Sequence, residues 1–292
     1  MREALGCPEP VQMIDCDGTA IAVHREGAGP PVVCLHAVGH GGRDFDAFAA
    51  AIRGRFEVIR IDWPGQGRSG PDRVPASAER YAEILALVLA RLGVERPLLV
   101  GNSIGGAAAI RYAAGHPVRG LVLCDSGGLV RVGLLVRAFT GAFARFFAAG
   151  ERGAPWFPRA FAFYYGRVVL PAAAAREQRE RIVAAGPEVA GVLRQAWSSF
   201  GRAEADLRAV AAALDVPVWC AWARGDRVIP LFLCRPALRR LKRARIDTFP
   251  GGHAPFLEAP EDFARRFLRF AEGLQPSSPP SPGSSASVAG MA

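Results

Sequence analysis

Two hydrophobic periods alternate along the first half of the chain. Short apolar runs, "TAIAVHREG", "PVVCLHA", "FEVIRID", "PLLVGN" and "RGLVLCD", have the density of buried strands. Between them lie helical patterns: "RDFDAFAAAIRG", "AERYAEILALVLARLG" ending at Gly93, and "IGGAAAIRYAAG". Strands that are apolar throughout and alternate with helices predict a mostly parallel sheet covered on both faces.

The rhythm breaks after this. From about Leu129 to about Leu214 no such strand is found. Helical segments such as "LLVRAFTGAFARFFAAG" and "REQRERIVAAG" are separated by Pro155, Pro158, Pro171 and Pro187, and the stretch is rich in aromatic residues. The alternation resumes with "VPVWCAWA", a helix near Leu231 to Leu241, "ARIDTF", and a final helix from Glu261 to Glu272. The predicted organisation is an α/β core (residues 1–128 and 215–274) interrupted by a helical insert (129–214). A Pro/Ser-rich tail (275–292) has the composition of a disordered segment.

Composition narrows the class. The chain has 292 residues, half of them hydrophobic and 22% charged, with a formal charge of +9. The basic run Arg235 to Arg245 carries Leu238 and Leu241 at helical spacing, so it is read as a solvated helix face and no nucleic-acid partner is expected. The six cysteines form no C-x-x-C pair. Cys34, Cys124 and Cys220 fall inside apolar runs, which points to a reduced, cytoplasmic protein. "MREALGCPEP" has no apolar stretch of signal-peptide length, and no uncharged run is long enough for a membrane span.

The candidate chemistry centres on "LLVGNSIGG". A G-x-S-x-G turn between strand and helix forces a tight bend and lifts the serine hydroxyl above the sheet edge, at the amino end of the next helix. Gly101, Ser103 and Gly105 make the single match in the chain. A serine needs a base and an orienting acid, following it in the order Ser, acid, His. His253, in "PGGHAPFLEAP" after the last strand, supplies the base. His24 lies in a strand and His116 precedes a proline, and both are assigned structural roles. His36 and His40 are four apart, but "HAVGH" is loop-like, and no metal site is expected. The acid is Asp226 in "RGDRVIP", with Asp125 at the end of another strand as the alternative. The oxyanion donors are the backbone N–H groups of Ile104 and, from the loop after "PVVCLHA", Val38. A competing match, "GQGRSG", resembles a dinucleotide fingerprint, but Pro71 and Pro75 follow where a helix should begin.

With these residues in place, the chain resembles the α/β-hydrolase superfamily, in the branch with a helical cap. The resemblance covers roughly Val11 to Gly273. It rests on "LHAVGHGG", "DWPGQGRS", "GNSIGG", "GDRVIP" and "GHAPFLEAP" in that order, with Ala37 standing where the pattern usually has glycine. It implies a triad of Ser103, Asp226 and His253, no cofactor, and a small-molecule acyl substrate cleaved through an acyl-enzyme. The aromatic insert suggests an apolar or aromatic substrate. Two alternatives share the fold: a C–C bond hydrolase of ring-cleavage products, and a weakly catalytic small-molecule receptor. "GNSIGG" resembles the elbow of the C–C hydrolases, but Ala254 stands where they usually carry Trp.

Overall fold

A computed structural model describes residues 11–274; Cys7 and the predicted tail lie outside the described residues. Eight strands form one sheet: β1 (Val11–Cys16), β2 (Thr19–Glu26), β3 (Pro31–Leu35), β4 (Glu57–Ile61), β5 (Leu98–Asn102), β6 (Gly120–Cys124), β7 (Val218–Ala223) and β8 (Ala244–Phe249). Their order is β1-β2-β4-β3-β5-β6-β7-β8. From β4 to β8 every neighbouring pair is parallel, while β1 with β2 and β2 with β4 are antiparallel. β5, β6 and β7 are buried along their whole length. That matches strands with helices over both faces.

β1 was not among the predicted strands. It forms a hairpin with β2 through Asp17 (φ 53°) and Gly18 (φ 82°). Two successive residues in the left-handed region make the turn that suits strand twist. The strand is an edge, three of its six positions are exposed, and it lacks the apolar density that marks the others.

The core helices are α1 (Asp46–Ile52), α2 (Ala78–Leu92) and α3 (Ile104–Gly115). α2 begins where Ser77 accepts the Arg80 N–H at 3.1 Å and ends at Gly93, whose φ of 64° suits glycine. Between β6 and β7 the chain makes α4 (Leu134–Glu151), α5 (Phe157–Tyr164), α6 (Arg176–Ala184), α7 (Gly186–Phe200) and α8 (Arg208–Ala213), with no strand among them. A π-helical turn, Tyr165–Val169, follows α5. α4 packs along α7, with Phe143 stacked on Trp197 at 4.3 Å between ring centroids. After β7 come α9 (Leu231–Leu238), α10 (Pro255–Glu258) and α11 (Pro260–Glu272).

The "GQGRSG" segment is a turn clamped by Asp62, whose carboxylate accepts the N–H of Gly42 at 2.6 Å and of Arg68 at 2.8 Å. A Cβ on Gly67 would lie 2.3 Å from that carboxyl, so only glycine fits. No helix starts until Ala78, and the dinucleotide fingerprint is therefore absent here.

Candidate active site

The carboxyl ends of β3, β5, β6 and β7 converge on one spot, where ligands bind in open α/β sheets. Ser103 sits between β5 and α3 with φ 54° and ψ −117°. Serine rarely adopts this conformation, which costs of order 1–3 kcal/mol and persists only where the surroundings impose it. They do so by crowding. A Cβ on Gly101 would lie 2.5 Å from the Gly105 carbonyl oxygen, and one on Gly105 2.2 Å from that of Leu35. The Ser103 backbone is pinned as well: its N–H donates to Cys124 O at 3.0 Å, and its C=O accepts the Gly127 N–H at 2.9 Å. A serine preceding a helix ordinarily caps it with its hydroxyl. Here the side chain makes no cap hydrogen bond.

His253 lies in the loop before α10 and is 4% exposed. Its Nδ1 is 2.9 Å from Oδ2 of Asp226. Asp226 is held in turn by the N–H groups of Val228 (2.8 Å) and Ile229 (3.0 Å), which donate to Oδ1. The structure therefore pairs the favoured acid with the predicted histidine. Ser103, His253, Val38 and Ile104 all line one cavity of about 360 Å³. This lies within the range of about 300–1,000 Å³ typical of small-molecule sites.

The alternative acid, Asp125, belongs to the same cluster. Polar atoms of Asp125, Asp226 and His253 lie within 4.8 Å of one another. Asp125 is fully buried, has φ 44°, and accepts the Ala223 N–H at 2.9 Å through Oδ1. Burial first, and the neighbouring Asp226 carboxylate second, push its carboxyl well above the usual carboxylate range. Both causes favour the protonated form of Asp125. The cluster has the donor types of a metal site, but Asp226 and His253 already satisfy each other, and Asp226 accepts two further amides. Asp226 and His253 form a hydrogen-bonded pair, while Asp125 Oδ2 is buried without a hydrogen-bond partner among the described residues.

Three residues missing from the sequence-level assignment hold these groups in place. Asn102 donates through Nδ2 to the carbonyls of Cys124 (3.0 Å) and His253 (2.9 Å), tying the elbow to the histidine loop. Glu258 is buried and accepts the Gly252 N–H at 2.6 Å and the Ala172 N–H at 3.1 Å. Burial raises its pKa in spite of these bonds. Its sequence signal was its place five residues after His253. Gln66 accepts the Gly39 N–H at 2.6 Å and donates to the Tyr81 hydroxyl at 2.8 Å, bracing the loop that carries Val38.

His36 lies under that loop. Its Nε2 accepts the Trp63 N–H at 2.9 Å and its Nδ1 is 2.6 Å from Ala37 O, an arrangement that requires a neutral ring. Burial lowers its pKa accordingly. His40 lines the cavity and pairs with Asp44. His24 is buried in β2, and His116 stacks on Tyr112, so neither approaches the site.

The chain matches the model of the alpha/beta hydrolase family over residues 32–266 and belongs to that family. It is 31% identical to the pimeloyl-[acyl-carrier protein] methyl ester esterase of Chromobacterium violaceum, over 86% of this chain and 97% of that one. Among solved structures, a thermophilic esterase from Thermogutta terrifontis superposes with a TM-score of 0.76 at 21% identity, covering 91% of this chain and all of that one. A bacterial membrane phospholipase A superposes with a TM-score of 0.71 at 28% identity, over 91% of this chain and 86% of that one. No helix among the described residues is long and apolar enough to cross a membrane.

Proposed function

We propose that the chain is a serine hydrolase that cleaves an ester or related acyl substrate, small and apolar or aromatic, through Ser103, His253 and Asp226. The observation that carries this reading is the Nδ1 to Oδ2 contact of 2.9 Å between His253 and Asp226, beside a cavity that also holds Ser103 in its strained turn.

In this mechanism Ser103 Oγ attacks the carbonyl carbon while His253 Nε2 takes its proton. Asp226 accepts from Nδ1–H, which fixes the tautomer with a free Nε2 lone pair and stabilises the imidazolium that forms. The N–H groups of Ile104 and Val38 receive the developing oxyanion. Collapse breaks the bond to the leaving group, and His253 returns the proton to it. Water then attacks the acyl-enzyme by the same route, releasing the acid and restoring Ser103.

Substrate selection follows from the lining. Phe139, Phe147, Tyr164, Leu193, Trp197 and Phe200 present an apolar, aromatic wall from the helices between β6 and β7, and we assign residues 129–214 the role of a cap. Among the described residues Arg227 is the one guanidinium in the lining. A neutral acyl group therefore suits the cavity better than a dianion. The cysteines of the described residues are all unpaired and buried, which supports a reducing, cytoplasmic setting.

The test is hydrolysis of short and medium p-nitrophenyl esters, run beside a dienone. Turnover of the esters that disappears in folded Ser103→Ala supports the reading. Dienone cleavage without ester cleavage would move the chain to C–C bond chemistry.

A further inference from the structure

The mouth of the cavity carries large apolar side chains in water. Leu134 and Leu135 open α4 at 83% and 87% exposure, and Phe232 and Leu233 open α9 at 70% and 45%. Single exposed apolar residues are ordinary on any surface. These are not scattered. Leu135 and Leu233 both line the cavity, so the two helix starts border the same cavity. Phe139, one turn beyond Leu135, lines the cavity and is itself 43% exposed. Exposed apolar side chains gathered around one cavity mark a site of contact with another phase or partner.

Charge indicates what the partner is. From Gly127 to Gly150 the chain has no acidic residue and carries Arg131, Arg137 and Arg145. From Arg227 to Ile246 it again has none and carries seven basic residues. Arg131, Arg137, Arg227 and Arg235 are exposed and make no ion pair among the described residues. Apolar side chains framed by unneutralised arginines complement a bilayer with anionic headgroups. The leucines and phenylalanine enter the acyl boundary while the guanidinium groups meet phosphate.

We propose that the rim formed by the amino ends of α4 and α9 is a docking surface for anionic membranes, which brings the cavity mouth against the lipid. Docking itself does not depend on the reaction. That the substrate enters from the bilayer rests on reading the cavity as the substrate site.

The experiment is co-sedimentation of the full chain with vesicles of phosphatidylcholine alone and of phosphatidylcholine with phosphatidylglycerol, at low and high salt. The proposal predicts binding to the anionic vesicles that weakens with salt and is much weaker on neutral ones. Leu134→Asp with Phe232→Asp, two positions outside the cavity lining, should lower the partition coefficient roughly tenfold or more. Arg131→Gln with Arg137→Gln should lower it on anionic vesicles only. Both pairs should keep wild-type circular dichroism and wild-type turnover of a water-soluble short ester. A long-chain ester carried in anionic vesicles should be turned over more slowly by the Leu134/Phe232 pair. If only that last effect is missing, the route of substrate entry is wrong and docking stands. No sedimentation of the wild type with anionic vesicles overturns the proposal, as does binding indifferent to both pairs. It is equally overturned if light scattering finds a dimer that Leu134→Asp with Phe232→Asp dissolves and no vesicle binding accompanies it; the rim would then be a contact between copies.

Discussion

Asp125 and Asp226 stand together behind His253, at the ends of adjacent strands, and only Asp226 contacts the imidazole. Asp125 spends one oxygen on the Ala223 N–H and is surrounded by core. Substituting each by the isosteric amide separates their roles. Asp226→Asn offers an N–H where an acceptor is needed and should lower kcat/KM by about 10³–10⁴-fold. Asp125→Asn resembles the protonated acid that burial favours, so activity within a few-fold of wild type is expected. Ester assays on both purified variants check this, and the reverse pattern would transfer the acid to Asp125.

The same pair predicts a pH signature in stability. A carboxyl with its pKa raised by folding takes up a proton when the chain folds. Stability therefore falls as pH rises from the ordinary aspartate range, about 4, towards the raised folded value. Asp125→Asn removes that one dependence. Its melting temperature relative to wild type should rise with pH from about 4 upward and level off once pH passes the folded pKa of Asp125. A constant difference across these melts would mean that Asp125 is ionised in the fold.

Ser103 bears a conformation that glycine adopts at little cost. Ser103→Gly should abolish ester turnover and yet stabilise the fold, by about 1 kcal/mol after the extra entropy of unfolded glycine is offset. Denaturant unfolding of the two proteins measures this. Loss of stability in Ser103→Gly would mean that the serine side chain holds the elbow together.

Much of this architecture could be read without coordinates. β5, the elbow and α3 were legible because a buried strand, a tight turn and a close-packed helix each demand small or apolar residues, and "LLVGNSIGGAAAI" has nothing else besides Asn102 and Ser103. β1 escaped because an edge strand exposes half its positions, and "VQMIDC" mixes polar with apolar residues. The upward push on the Asp125 carboxyl could not be read, since two aspartates at strand ends look alike until burial separates them. Asn102, Glu258 and Gln66 were also missed. Asn102 and Gln66 act on backbone groups remote in sequence, such as Asn102 on the His253 carbonyl, and such partners leave no local pattern; Glu258, which accepts the nearby Gly252 N–H, did leave one in its spacing from His253. The exposure of Leu134 and Leu135 could not be read either, because an apolar helix start has the same pattern whether it faces core or solvent.

Asn102 provides a test of how far the elbow depends on its ties. Asn102→Ala removes hydrogen bonds to Cys124 O and His253 O, each contributing about 1 kcal/mol. The expected result is a fold destabilised by about 2 kcal/mol and a lower kcat with KM little changed, because the histidine loop loses its anchor to β5. Thermal melts and steady-state kinetics report the two effects separately. A change confined to KM would place Asn102 in substrate binding instead.

The cap assignment predicts a division of labour. Phe139→Ala and Trp197→Ala enlarge the apolar wall of the cavity without touching Ser103, His253 or Asp226. They should raise KM and shift the preferred acyl chain length, measured over a series of p-nitrophenyl esters. Their rate of reaction with a small fluorophosphonate should match wild type. A folded variant that no longer reacts with the probe would make these aromatics part of the catalytic machinery.

The most direct measurement of the central claim is the site of covalent reaction. The protein is incubated with a fluorophosphonate, digested, and the modified peptide located by mass spectrometry. The account predicts one adduct, on Ser103, formed rapidly by wild type and at a rate lower by several orders of magnitude in folded His253→Ala. An adduct on another residue, or labelling of Ser103 that is indifferent to His253, would contradict it.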